Sequence, residues 1–435
     1  MSLSLESIAE QLRKHPKLVV ADDFEIAIQN SQSTGLHYHN GEKTHRSRGE
    51  RLWISLRIWH RKRGGRAVAL NPSQESLSRL VESAFDSANR AAVDPWFRFP
   101  MWKARSSAKA ESQATLQEYE SLFSSIKQPD VLFDESYDFE TTETYLRRKT
   151  ERFDLRHKRS AHHAAFSVEL ENANGWVQLR EERAVPGLLQ DRSLWMDELV
   201  ESAWNRSQRP SKPCGRGKRK VVLAPRVATR LLRAMSSQFF ADQAQNGRSV
   251  LAGKLGSPLW GEALTLVDDG NHAALASAAP FDLEGSPTQR TVLVDKGTLK
   301  SLLHDVCSAT RENRLSTGSF IRHATQDRAQ IGASAFYIEP GQISRQTLLE
   351  QMANGVYWDC LDSIELVPAQ PGVFRLRGSG WRVAFGNCSE PLSGIAAEVD
   401  VLEVWRSAQA VAKDLSFFAG FGSPSILIES MPLGM

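Results

Sequence analysis

Cysteine is scarce in this chain: Cys214, Cys307, Cys360 and Cys388 are four in 435 residues and form no C-x-x-C pair. Such spacing argues against a disulfide framework and for reduced, mostly buried thiols. Long apolar runs are missing too. No stretch approaches the roughly 20 residues that cross a bilayer, and Met1–His15 is polar and amphipathic rather than signal-like, so a cytoplasmic protein is expected. A phosphate-cradling loop is also absent, because Gly372…Gly378-Ser-Gly380 lacks both a lysine and a strand-to-helix setting. No internal repeat is visible. Charge of one sign is not in large excess, at a net +3, which gives little support to a nucleic-acid-binding protein.

What is present suits a globular protein. Hydrophobic residues make up 41% and charged residues 24%, and the length allows two or three domains with their own cores. Leu5, Ile8, Ala9 and Leu12 keep helical spacing. Phe24, Ile26 and Ile28 alternate as a strand, and a second strand, Arg51–Trp59, is expected to pair with Arg66–Leu70 across Arg63-Gly64-Gly65. His45–Arg66 holds seven Arg and one Lys interleaved with Trp53 and Trp59, which reads as a hairpin with a solvated basic face. Asn71 as N-cap and Pro72 in the first turn open a helix whose apolar face is Leu77, Leu80, Val81, Ala84, Phe85 and Ala88.

After an Asp94–Ala114 connector, a helix is expected over Leu116–Ile126, then strands at Tyr145–Leu155 and Ala164–Glu171. The latter turns through Asn174-Gly175 into Trp176–Glu182, and a helix follows near Leu194–Trp204. Asn205–Lys220, with Pro210, Pro213 and seven Lys or Arg, reads as a linker between domains 1–204 and 221–435. A short strand, Lys220–Leu223, then leads to a helix at Arg226–Ala241. The fold class expected is α+β: an N-terminal mixed domain followed by a β-rich domain around a central helix.

Ser277–Gly318 is the most structured stretch to the eye. Pro280-Phe281-Asp282-Leu-Glu284-Gly285-Ser-Pro287-Thr288-Gln-Arg290 is a turn-rich loop, two short strands follow across Asp295-Lys-Gly297, and Ser316-Thr317-Gly318 closes it. This stretch resembles the signature of the TldD/PmbA (TldE) metallopeptidase family. So do Tyr337–Gly341, Arg377-Gly-Ser-Gly380-Trp381, and Lys413-Asp414-Leu415…Gly422-Ser423-Pro424-Ser425. The resemblance covers roughly residues 220–435, and further upstream only the layout matches.

The resemblance implies a zinc site that the residues here lack. Catalytic members carry H-E-x-x-x-H on the central helix with a downstream cysteine. The two imidazoles and the thiolate hold zinc, and the carboxylate acts as base. Here the helix reads Leu231-Leu232-Arg233-Ala234-Met235-Ser236-Ser237-Gln238, which puts Arg233, Ala234 and Gln238 at those positions, and Phe417–Ser425 has no cysteine. An arginine side chain does not give up its proton to bind a metal. The chain therefore looks like the PmbA/TldE branch: no catalytic residue and no cofactor of its own, with zinc expected in a TldD-like partner. Together the two subunits would enclose a chamber for unfolded peptides, including precursors of ribosomally made peptide products. Phe281, Asp282, Arg290, Ser316, Thr317 and Arg377 are the residues expected to line it.

A homodimeric peptide-binding or regulatory protein is the alternative, and nucleic-acid binding through the basic stretches a second one. Elsewhere the residues favour structural roles. His37 and His39 share a strand face without a third ligand, and His162-His163 is expected to be structural. Asp268-Asp269-Gly270 reads as a turn, and Cys307 beside His304 and Asp305 as a buried small residue. Ser319–Asp327 departs from the family's Gly- and Pro-rich loop, which points to a specialised substrate or partner.

Overall fold

Two-residue alternation in the first half of the chain builds one long antiparallel sheet. The computed structural model describes residues 4–95, 99, 132–149, 154–172, 175–185, 192–208, 211–322, 327–368 and 370–434. Its first strands are β1 (Asp23–His39), β2 (Glu42–His60), β3 (Arg63–Leu70), β4 (Leu132–Arg148), β5 (Asp154–Asn172) and β6 (Gly175–Val185), in the order β3-β2-β1-β4-β5-β6. Among the described residues four helices accompany them: α1 (Leu5–Arg13), α2 (Pro16–Val20), α3 (Gln74–Arg90) and α4 (Arg192–Ser207).

One face of the sheet packs on helices. Ile26, Ile28, Ile54, Leu56 and Ile58 meet the apolar sides of α1 and α3, while Leu36, Tyr38, Phe166 and Leu170 meet Met196, Leu199 and Ala203 of α4. The opposite face packs on the rest of the chain, with Ala27, Trp53, Leu146 and Leu155 against Phe281, Leu283 and Phe320.

Several boundaries differ from expectation. The β2–β3 turn is Arg61-Lys62, both with positive φ, and not Arg63–Gly65. Gly65 is needed inside β3, because a Cβ there would stand 2.2 Å from the Ala84 carbonyl of α3. The N-cap of α3 is Ser73, whose hydroxyl accepts from the Ser76 N–H. Asn71 instead accepts the Leu52 N–H at 2.7 Å, pinning the end of β3 to β2. The expected strand Tyr145–Leu155 is not one strand: residues 145–148 end β4 and Asp154-Leu155 begins the antiparallel β5, with Leu146 facing Leu155. The expected helix at 116–126, most of the 94–114 connector and Asn174 lie outside the described residues.

Among the described residues the second half has three further sheets, one of them two-stranded. Its strands are β7 (Lys212–Pro213), β8 (Gly217–Leu223), β9 (Leu266–Asp269), β10 (Arg290–Asp295), β11 (Thr298–Leu299), β12 (Phe320–Ile321), β13 (Gln330–Ile331) and β14 (Phe336–Ile338). They continue with β15 (Gly355–Leu366), β16 (Val373–Ala384), β17 (Asn387–Asp400), β18 (Ala408–Val411), β19 (Ser416–Phe418), β20 (Phe421–Ser423) and β21 (Ile426–Leu433). The helices are α5 (Pro225–Met235), α6 (Ala241–Gln245), α7 (Val306–Arg311), α8 (Arg345–Met352) and α9 (Val401–Arg406). A seven-stranded sheet runs β18-β21-β8-β15-β16-β17-β7, a six-stranded one β11-β10-β9-β14-β20-β19, and the two-stranded one is the pair β12-β13.

Between the two larger sheets lies α5, with Val227, Ala228, Leu231, Leu232 and Met235 buried in the largest core cluster. The fold is thus α+β, with a β-rich second half around a central helix. Two details differ. The α-helix stops at Met235 and tightens into a 3-10 turn over Ser236–Phe239, and the expected linker 205–220 contains the end of α4, all of β7 and the first residues of β8. Among the described residues no helix is long and apolar enough to cross a membrane.

Candidate functional site

Gln29 lies on β1, and Glu140 and Thr144 on β4 and His157, Arg159, Ala161 and His163 on β5 fall at even spacing along their strands. Cross-strand pairing puts Gln29 beside Thr144, Thr144 beside His157, and Glu140 beside Ala161. These side chains share the sheet face that turns toward the second half of the chain. Opposite them stand Arg233 of α5, Phe281 and Asp282 of the Pro280–Arg290 loop, Arg322 after β12, and Gly420-Phe421 at β20; together they enclose a cavity of about 240 Å³.

The loop's acids are held by backbone. Asp282 is 3% exposed and accepts N–H bonds from Glu284 (2.9 Å), Ser286 (2.9 Å) and Phe320 (3.0 Å). Burial, and then Glu284 nearby, push its carboxyl well above the usual range. Glu284 accepts from the Val306 N–H at 2.8 Å and pairs with the buried Arg57 of β2. Arg57 also lies 3.3 Å from Glu25, which Arg148 contacts at 2.9 Å, and Arg148 donates to the Glu284 carbonyl. Burial pushes the Glu284 carboxyl up to about 7, with Asp305 and Glu25 adding to the rise against Arg57. The loop thus locks the two halves of the chain together. Gly318 allows the Ser316–Gly318 turn to close on it, since its φ is +69° and a Cβ would meet the Pro287 carbonyl at 2.3 Å.

Of the residues expected to line a chamber, Phe281 and Asp282 border the cavity. Arg290 pairs with Glu339 on the surface. Ser316 and Thr317 donate to the His304 carbonyl, each at 3.1 Å. Arg377 is exposed on β16, across from Ser363 and Ala396 in the seven-stranded sheet. Sequence reasoning missed Arg159, Arg322 and His157. His157 and Arg159 lie on β5, which is polar on the cavity side there, so the apolar alternation that reveals strands is absent around them, and Arg322 follows β12 in the Ser319–Asp327 stretch.

The donor chemistry for zinc can be judged at the three helix positions. Arg233 is exposed on α5 with its guanidinium over the Phe421 ring at 5.4 Å. Ala234 offers a methyl group, and Gln238 accepts the Val250 N–H at 2.9 Å from within the 3-10 turn. The helix and the closing segment therefore do meet at Arg233 and Phe421, as a shared metal site would require, but with no metal-binding side chain from either. Among the described residues no group of three or more His, Cys, Asp or Glu could hold a metal ion. The residues present do not fit zinc.

The remaining titratable candidates are structural. His162 is 3% exposed, and burial lowers its pKa to about 4. Burial raises the Cys307 thiol to about 12, which makes it a poor nucleophile. His39 bonds Asp134 at 2.8 Å at the exposed end of β1. Asp268 lies within β9, 3% exposed, and accepts the N–H groups of Ser334 (2.8 Å) and Ala335 (3.0 Å).

The architecture is a central helix between sheets, opening onto a cavity roofed by an N-terminal sheet. Residues 216–434, half the chain, match the family model described as the PmbA/TldA metallopeptidase C-terminal domain, and the chain belongs to the PmbA/TldD family. It is similar to a metalloprotease of Methanothermobacter thermautotrophicus, at 31% identity over 195 residues, 45% of this chain and 42% of that protein. It is also similar to the metalloprotease PmbA of Escherichia coli O157:H7, at 24% over 213 residues, 49% and 45%. The chain thus spans less than half the length of these two relatives in its matches. Its fold is that of the crystal structure of TldE from Thermococcus kodakarensis, with a TM-score of 0.84 at 20% identity over 98% of this chain and all of the other.

Proposed function

We propose that this chain is the non-catalytic subunit of a two-subunit, cytoplasmic zinc metallopeptidase that acts on unfolded peptides. The observation that carries the reading is the pair of places where a family zinc site would assemble. Arg233, Ala234 and Gln238 stand on one side and Phe421 on the other, none of them a ligand. A TldD-like partner would supply the metal, its bound water and the base. This chain would contribute a wall of the peptide chamber: the polar face of β4 and β5, the Pro280–Arg290 loop and the end of β20. Enclosing the site would exclude folded proteins and admit extended chain.

The test is to purify the full chain alone, and co-expressed with a TldD-like homologue. Metal content, complex size and cleavage of an unstructured peptide are then measured. The expected result is a heterodimer with about one zinc and activity only in the mixture. Zinc-dependent activity of the isolated chain, or failure of the two to associate, overturns the reading.

A further inference from the structure

Three arginines and two acids line the cavity between the halves. Arg159 on β5 donates to the Ser277 carbonyl at 3.5 Å, and Arg233 faces the Phe421 ring. Among the described residues no carboxylate stands within ion-pair distance of either guanidinium. Arg322 adds a third cation, its Nε donating to the Gln29 side chain at 3.0 Å while the guanidinium lies over Trp53 at 5.1 Å. Two acids share the lining. Asp282 is occupied by three backbone amides, and Glu140 accepts from the Thr142 hydroxyl at 2.6 Å. Burial lowers the pKa of Arg159 against the pull of Glu140, and lowers that of Arg322, where Arg51 and Arg159 add to the fall and Glu140 and Asp327 oppose it. An anion in the cavity would relieve this mutual repulsion.

We infer that this cavity binds the α-carboxylate at the C-terminal end of a peptide, between Arg159 and Arg233. The volume of about 240 Å³ suits one or two terminal residues rather than a longer segment. Apolar contact for the last side chain is available from Phe281, Leu283 and Ala279. Guanidinium groups suit carboxylates because they present several N–H donors in one plane. The inference rests on the reading of this chain as a wall of the peptide chamber and specifies which end of the substrate that wall holds.

The test uses the full chain and N-terminally labelled eight-residue Ala/Ser peptides, followed by fluorescence anisotropy at low and moderate salt. Three peptides are compared: one with a free C-terminus, one amidated, and one amidated with an internal Glu. The free acid is expected to bind about tenfold or more tightly than the amide, with affinity falling as salt rises. Arg233→Ala and Arg159→Gln should each bring the acid close to the amide, and Arg233→Lys should keep part of the preference. Thermal melts confirm that each variant is folded.

Equal binding of acid and amide overturns the inference. So does an internal Glu that binds as tightly as the free terminus, or variants that bind like wild type. If the mixture with the partner cleaves both acid and amide peptides equally, the two-subunit reading stands and only this inference falls. Acid-selective binding by a chain that forms no complex would support this site while removing the heterodimer.

Discussion

Arginines stand in two places where the N-terminal sheet meets the second half of the chain, and the two are built in opposite ways. Around the Pro280–Arg290 loop, Arg57 and Arg148 find Glu25, Glu284 and a backbone carbonyl, all buried. In the adjoining cavity, Arg159 and Arg233 have a backbone carbonyl and an aromatic ring instead of a carboxylate. A buried guanidinium without an anion is costly, whereas a paired one holds surfaces in register. The first cluster is a clamp, complete within the chain. The second has no such partner among the described residues, and it is there that the inferred carboxylate would sit.

The sharpest way to break this contrast is at the clamp. Glu284→Ala would remove the partner of Arg57 and the acceptor of the Val306 N–H, leaving a buried cation short of charge and a buried donor orphaned. A loss of about 3–5 kcal/mol is expected, read as a lower denaturation midpoint. Glu284→Gln should cost about 1–2 kcal/mol. The carboxyl already sits near neutrality, raised to about 7 chiefly by burial, and an amide oxygen can still accept from Val306. Equal losses for the two variants would show that shape rather than charge and hydrogen bonding holds the halves together.

These two clusters were unequally legible in the sequence. The loop announced itself through Pro280, Gly285 and Pro287, residues with strong turn preferences, and Asp282 and Glu284 stood out as acids within it. Their partners did not. Arg57 read as part of a solvated basic hairpin, although the apolar alternation of Ile54, Leu56 and Ile58 placed the odd-numbered residues on the other face, where Arg57 is buried. The reason is that alternation reveals a face but not what covers it, and here the cover comes from more than 200 residues away, at Glu284. The cavity was hidden further, because β5 carries His157, Arg159 and His163 on its inner side and so shows no apolar period. Arg233 and Ala234 were visible only as departures from a pattern, and Arg322 only as part of the unusual Ser319–Asp327 stretch. The central helix was legible because its own apolar face is nearly all buried, although its early end at Met235 was not.

A smaller effect is expected behind the cavity wall. Ser334, one of its lining residues, is held by Asp268 through the Ser334 and Ala335 N–H groups. Burial pushes the Asp268 carboxyl up to about 7 despite those bonds. Between about pH 4 and 7 the folded chain therefore keeps a proton that the unfolded chain has released. The folded state binds more protons there, so this group's contribution to stability falls as pH rises, by at most about 1.4 kcal/mol per pH unit. Asp268→Asn should remove that slope. Denaturant titrations of both proteins at pH 5, 6 and 7 give the difference directly, and parallel pH profiles would mean that the carboxylate is already ionised in the folded chain.

The smallest effect on stability should come from the residue most prominent in the cavity. Arg233 is exposed on α5, with neither a carboxylate nor a buried amide to hold it among the described residues. Its removal forfeits little more than a cation–π contact of about 0.5–1 kcal/mol at an exposed site, and relief of repulsion with the other arginines offsets part of that. Arg233→Ala is therefore expected to change the denaturation midpoint by less than about 0.5 kcal/mol, the range of ordinary surface substitutions, and to rise toward or above wild type as salt is lowered, because screening of like charges weakens there. A large loss of stability would place Arg233 in the same class as Arg57, a structural cation whose partner lies within the chain. An unchanged or slightly raised stability would mean that the chain carries this arginine for something other than its own fold.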